Sequence, residues 1–224
     1  MNIIQNFLTQ NDCYLGGKTI TVKGLMLHSV GCSQPNASVF LKNWNRSGVE
    51  ACVHAFIDGN TGTVYQTLPW NHRGWHCGSK GNNTHIGIEM CEPSTIKYTS
   101  GASFKDTDPV ATKKVVLRTY NAAVELFAFL CKEYKLNPMT DIVSHREGNA
   151  LGIASNHGDP EHLWKAFGLS MDGFRNDVKK AMSASAPKGK LYRVQVGAFS
   201  IKANAEKLAK ELKAKGYSTI IKEE

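Results

Sequence analysis

DPVATKKVVLRTYNAAVELFAFLCKEYKLNP, residues 108–138, is the longest helical signal in the chain. Asp108 can cap the first turn, Pro109 suits the first helical position, and Pro138 forbids continuation. Val116, Tyr120, Ala123, Phe127, Leu130 and Tyr134 recur at the helical period and form one apolar stripe. Such a stripe needs a partner surface. The runs GLMLHSV (24–30), ACVHAFID (51–58), TVYQTL (63–68), HIGIEMC (85–91) and DIVSH (141–145) supply it. They are short, rich in branched residues and bounded by Gly, Pro, Asn or Asp, as strands are. DGNTG (58–62) reads as a hairpin turn between the second and third, and NASVFLKNWNR (36–46) as a short helix carrying Val39, Leu41 and Trp44. Strands interleaved with one long helix predict an α/β domain with a mixed central sheet flanked by helices.

A composition shift follows. Lys179 to Lys190, KKAMSASAPKGK, has no apolar periodicity and reads as a linker. LYRVQVGAF (191–199) alternates like a half-buried strand, Ser200 can cap a helix that stops at Gly216, and YSTIIKEE (217–224) reads as a second strand. The C-terminus is thus expected to form a small β-α-β unit.

The 224 residues carry a formal net charge of +8, and Pro187–Glu224 holds nine Lys/Arg against four Asp/Glu. This excess favours a polyanionic partner, yet no nucleic-acid reader motif is present. No apolar run approaches the roughly 18 residues a membrane span needs. The N-terminus lacks the basic start and apolar run of a signal peptide, so synthesis in the cytoplasm is expected. The six cysteines are scattered without a C-x-x-C pair, which suits reduced thiols.

SNHGDPEHLW (155–164) sets His157, Asp159 and His162 close together around a Gly and a Pro. Asp159, His145 at the end of a strand and His28 within another are candidate metal ligands; a lone strand histidine is otherwise a core residue. H-E-x-x-H, G-x-S-x-G and P-loop patterns are absent.

The segments LMLHSV, VHAFID, TVYQTLPW, RGWHCG, HIGIEMCE and SHRE…NHGDP resemble, in order and spacing, the zinc-dependent N-acetylmuramoyl-L-alanine amidases related to phage lysozyme-amidases and peptidoglycan recognition proteins. The resemblance runs from about Gly24 to Trp164. It implies one zinc ion per chain held by His28, His145 and Asp159, and hydrolysis of the amide between N-acetylmuramic acid and L-alanine in peptidoglycan. Members of this family carry a Tyr before the second-strand His or a Glu in the IGIE strand. Val53 closes the first option here, so Glu89 takes the acid–base role. His157 stands where many members have Lys and is assigned to the oxyanion. Trp75, His76 and Asn83 in the Gly-rich loop are assigned to substrate binding. His162 is read as a helix-start or surface residue, and His54, His72 and His85 as structural or surface.

YRVQVGAFSIKANAEKLAKELKAKGY (192–217) resembles the first half of a sporulation-related (SPOR) repeat, which implies peptidoglycan binding; the second β-α-β unit of that module is missing, so either the tail pairs with a second copy or the module is truncated. The expected organisation is a catalytic domain at 1–180, a linker at 181–189 and a partial SPOR-like module at 190–224. Three functions compete: a lytic amidase of endolysin or autolysin type acting on the wall after release, a cytosolic amidase recycling anhydro-muropeptides, and a non-catalytic peptidoglycan binder.

Overall fold

Asp108 caps the long helix as expected: its Oδ1 accepts from the Ala111 N–H at 3.0 Å, and the helix runs Pro109–Tyr134 until Lys135 turns left-handed at φ 55°. The structure is a computed structural model that describes residues 1–183, 195–214 and 219–223. In chain order its strands are β1 (Ile3–Gln5), β2 (Gly24–Ser29), β3 (Ala55–Ile57), β4 (Val64–Gln66), β5 (His85–Met90), β6 (Ile96–Ser100), β7 (Ser103–Asp106) and β8 (Ile142–Ser144). The helices are α1 (Asp12–Gly16), α2 (Ala37–Trp44), α3 (Pro109–Tyr134), α4 (Pro138–Asp141), α5 (His145–Ala150), α6 (Glu161–Trp164), α7 (Met171–Ser183) and α8 (Lys202–Ala214), with single 3₁₀ turns at Lys80–Asn83 and Lys165–Phe167.

Six strands form one mixed sheet in the order β1-β4-β3-β5-β2-β8, in which only β3 and β4 pair antiparallel. The DGNTG turn makes that hairpin. Strand periodicity divides the two faces. Leu25, Leu27, Ala55, Ile57, Ile86 and Ile88 point to one side and join Val116, Tyr120, Ala123 and Phe127 of α3 and Phe174 and Val178 of α7 in the main core. Met26, His28, Gly87 and Glu89 therefore occupy the other side. There Phe56 stacks on Phe40 with centroids 5.0 Å apart, in a smaller core with Leu8, Leu41 and Leu68.

Several elements differ from expectation. The run 51–58 gives a shorter strand because Cys52 pairs instead with Trp75 in an isolated bridge. β1, α1, α7 and the separate β6–β7 hairpin have no counterpart in the sequence reading. α7 continues through Ser183, so residues 181–183, expected as linker, form the last turn of a helix whose Phe174 and Val178 are fully buried. Residues 184–189 of that linker lie outside the described residues.

The chain divides into two compact units, Met1–Ala184 and Ser185–Glu224. In the second, α8 forms as expected. Of the expected flanking strands, the described residues 195–199 and 219–223 are in no sheet, and the rest of those runs lies outside the described residues. All six cysteines are free.

Candidate functional site

β2 and β5 run parallel in a register that sets His28 directly opposite Glu89. On the other flank of β2, β8 aligns Ser144 with Leu27, and the next residue, His145, opens α5. A capping box fixes that start: Ser144 Oγ accepts from the Glu147 N–H at 3.0 Å while Glu147 Oε2 accepts from the Ser144 N–H at 3.0 Å. Asp159 arrives on the loop before α6, where the Ser29 N–H donates to its Oδ2 at 3.3 Å and the Arg146 N–H to its carbonyl at 3.3 Å.

These three side chains converge. His28 Nδ1 lies 2.9 Å from His145 Nδ1 and 3.4 Å from Asp159 Oδ2, and His145 Nδ1 lies 3.6 Å from Asp159 Oδ1. His28 is 1%, His145 5% and Asp159 9% exposed, so the three donors are largely buried.

A hydrogen-bond chain fixes what His28 offers. His76 Nε2 donates to the His85 carbonyl at 3.1 Å, leaving Nδ1 as acceptor for His28 Nε2–H at 2.9 Å. His28 must then present an Nδ1 lone pair to the cluster. The His76 ring can lie there only because position 87 has no side chain: a Cβ on Gly87 would meet it at 2.4 Å. His145 is oriented in the same way, with Nε2 3.1 Å from Ser155 Oγ and 3.2 Å from His157 Nδ1. Two neutral imidazole nitrogens and one carboxylate oxygen are a donor set that suits zinc. Tetrahedral bonds of about 2.0–2.1 Å set donor atoms a little over 3 Å apart, and the observed separations of 2.9, 3.4 and 3.6 Å straddle that spacing. The residues fit the metal.

The electrostatics agree. Burial and the neighbouring His28 hold the His145 imidazole down to about 4, so it is neutral. Burial raises Asp159, but its place beside the His28 and His145 rings outweighs burial and holds its carboxyl below the usual carboxylate range. Glu89 Oε2 is buried with no partner. Burial, followed by the charges of Asp159 and Glu92, pushes its pKa well above the usual carboxylate range. An orphaned carboxyl of this kind beside a donor cluster suits proton transfer.

The remaining expected residues lie as follows. His157 is exposed and packs against the far nitrogen of His145, with centroids 4.6 Å apart. His76 lies behind His28. Trp75, 38% exposed, has the Arg73 guanidinium 5.1 Å from its ring centre, and Arg73 Nε donates to Asn83 Oδ1 at 2.7 Å. Trp75 and Arg73 line a groove of about 290 Å³ with Asp12, Cys13, Lys18 and Glu50, and none of the three cluster residues borders it. His54 is fully buried, its Nδ1 accepting from the Gly87 N–H and its Nε2 donating to the His72 carbonyl. His162 corrects the surface reading. Although it does start a helix, its side chain is only 9% exposed and its Nε2 reaches the Tyr98 hydroxyl. The sequence reading missed Ser155, Gly87 and Tyr98. Their partners are distant along the chain, and no spacing pattern links them.

The fold and site together define an α/β domain with a two-histidine, one-aspartate centre able to hold a metal ion. The chain belongs to the N-acetylmuramoyl-L-alanine amidase family, whose profile matches residues 18–162. The SPOR domain profile matches residues 172–224 and so begins inside α7. The chain is 32% identical over 100 residues to N-acetylmuramoyl-L-alanine amidase XlyA of Bacillus subtilis, covering 41% of this chain and 32% of that protein. It is 38% identical over 72 residues to N-acetylmuramoyl-L-alanine amidase CwlM of Bacillus licheniformis, covering 31% of this chain and 28% of that one. The chain thus spans about a third of the length of the curated relatives it matches. The solved catalytic domain of XlyA superposes with a TM-score of 0.56 at 20% identity, over 80% of this chain and 99% of that one, and shares the fold. Among the described residues no helix is long and apolar enough to cross a membrane.

Proposed function

We propose that the chain hydrolyses the amide between the lactyl group of N-acetylmuramic acid and L-alanine in peptidoglycan, using zinc held by His28, His145 and Asp159. The observation that carries this reading is the convergence of those donors beside the unpartnered Glu89 carboxyl, in a chain of the amidase family. Zinc bound there would acidify water and polarise the scissile carbonyl. Glu89 takes the proton of the attacking water at its carboxylate and passes it to the L-alanine nitrogen as the C–N bond breaks. His157, at the exposed rim, donates to the oxygen that gains negative charge. The His85 carbonyl, through His76, holds His28 in its ligating tautomer. Trp75 and Asn83 belong to the wall that meets the substrate, with Trp75 offering a face for stacking, while His76 serves from behind His28.

The catalytic domain occupies 1–183, to the end of α7. The basic C-terminal unit, matched by the SPOR profile, holds the enzyme on glycan strands and pairs with a second copy of itself. The protein acts on the cell wall as an endolysin or autolysin. Purified peptidoglycan digested with and without a zinc chelator tests the reaction. Chelator-sensitive release of L-alanine amino groups without new reducing sugar ends is expected, and lost in His28→Ala and Glu89→Ala. New reducing ends would overturn it. Wall binding without either product would favour a recognition protein.

A further inference from the structure

Three segments meet beside the donor cluster without contributing a ligand. Glu92, just past β5, is 1% exposed, an expensive position for a carboxylate unless it is fully bonded. Its Oε1 accepts from the Gly31 N–H at 3.2 Å, at the turn where β2 leaves the site, and its Oε2 accepts from the Tyr98 hydroxyl at 2.7 Å. That hydroxyl has spent its one proton on Glu92, so it must accept from His162 Nε2. His162 is in turn tied to the Asp159 turn by its own N–H, which donates to the Gly158 carbonyl at 3.0 Å.

Tyr98 belongs to the β6–β7 hairpin, which pairs with no strand of the main sheet. A lone two-stranded hairpin needs a surface to rest on, and this one rests on His162. The Tyr98 and Phe104 rings lie 5.8 and 6.5 Å from it, and a Cβ on Gly158 would lie 3.7 Å from Ala102 at the hairpin tip. We infer that Tyr98 and His162 are positioning residues of the metal centre: the bond chain from Gly31 through Glu92 and Tyr98 to His162 holds the turn carrying Asp159 in register with the strand carrying His28.

This rests on the zinc reading above, and zinc affinity measured by chelator competition at fixed neutral pH separates the two. Partners of metal ligands typically change affinity by roughly 10–100-fold when removed. Tyr98→Phe, which keeps the ring and deletes the hydroxyl, is expected to weaken zinc binding by about that factor, with activity recovered in excess zinc. His162→Leu is expected to match it. His162→Gln, whose amide can donate to the same hydroxyl, should recover most of the affinity. The melting temperature of the metal-free protein should move little in Tyr98→Phe. Wild-type affinity in Tyr98→Phe and His162→Leu, with only metal-free melting lowered, would reduce the chain to scaffolding and overturn the inference. A wild-type protein that binds no zinc would instead overturn the reading beneath it.

Discussion

Glu89, whose Oε2 is buried, and His54, buried whole, are both titratable, and their surroundings give them opposite tasks. Glu89 has an oxygen with no partner, so its proton is free to move; His54 has both nitrogens bonded to backbone, so its ring is fixed. Glu89→Gln keeps the shape and removes the base. Turnover should fall by roughly 10²–10⁴, with zinc binding by chelator competition close to wild type. His54 sets a pH dependence of stability. Burial holds its imidazole down to about 4, against about 6.5 in the unfolded chain. Above pH 6.5 both states are neutral and its contribution is fully present. Between 6.5 and 4 only the unfolded chain takes the proton, so stability declines as pH falls, by about 3 kcal/mol for this residue across the window. Urea unfolding of the zinc-free protein at stepped pH should show that decline, with a shallower slope in His54→Gln.

At the scale of elements, the close contact between β5 and the loop 73–78 sets the quality of the site. Gly87→Ala would drive a methyl into the His76 ring and displace the residue that orients His28. Overpacking costs about 1–3 kcal/mol. The expected outcome is that loss in urea unfolding together with weaker zinc binding, whereas Gly62→Ala at a remote turn should leave zinc affinity unchanged. Contacts of this kind also explain what the sequence could and could not reveal. α3 was legible because its cap, its initial proline and its apolar stripe all lie within one segment. The strands were legible from branched residues between breakers. β1 is three residues long and takes its identity from pairing with β4, so no local pattern marks it. The β6–β7 hairpin rests on His162, some sixty residues further on. His28, His145 and Asp159 were reached through family motifs, while the geometry that makes them a cluster became visible only when β2 and β8 lay side by side. The behaviour of His76 depended on the missing side chain at position 87, which no spacing announces.

For the whole molecule, the metal is expected to act as a brace across β2, α5 and the Asp159 turn. A ligand at 100 times its dissociation constant adds about 2.7 kcal/mol. Added zinc should therefore raise the melting temperature by roughly 5–10 °C, at about 2–4 °C per kcal/mol for a unit of this size. Differential scanning calorimetry should show that rise in wild type and none in His28→Ala. The proposed wall-binding role falls to the C-terminal unit, Ser185–Glu224. A chain ending at Ser183 should cleave a small soluble muramyl peptide at the wild-type rate but sediment poorly with purified wall. Raised salt should weaken sedimentation of the full chain, because the excess of lysines there is a screened attraction. The separation of 117 residues between His28 and His145 has one more consequence, in the time over which the chain is made. The ribosome delivers the first donor early, and the sheet edge that receives β8 then waits through most of the domain's synthesis. Until Asp159 has emerged, a growing chain holds one or two donors and no complete centre. The three donors can thus come together only late in synthesis, when little of this unit remains to be made.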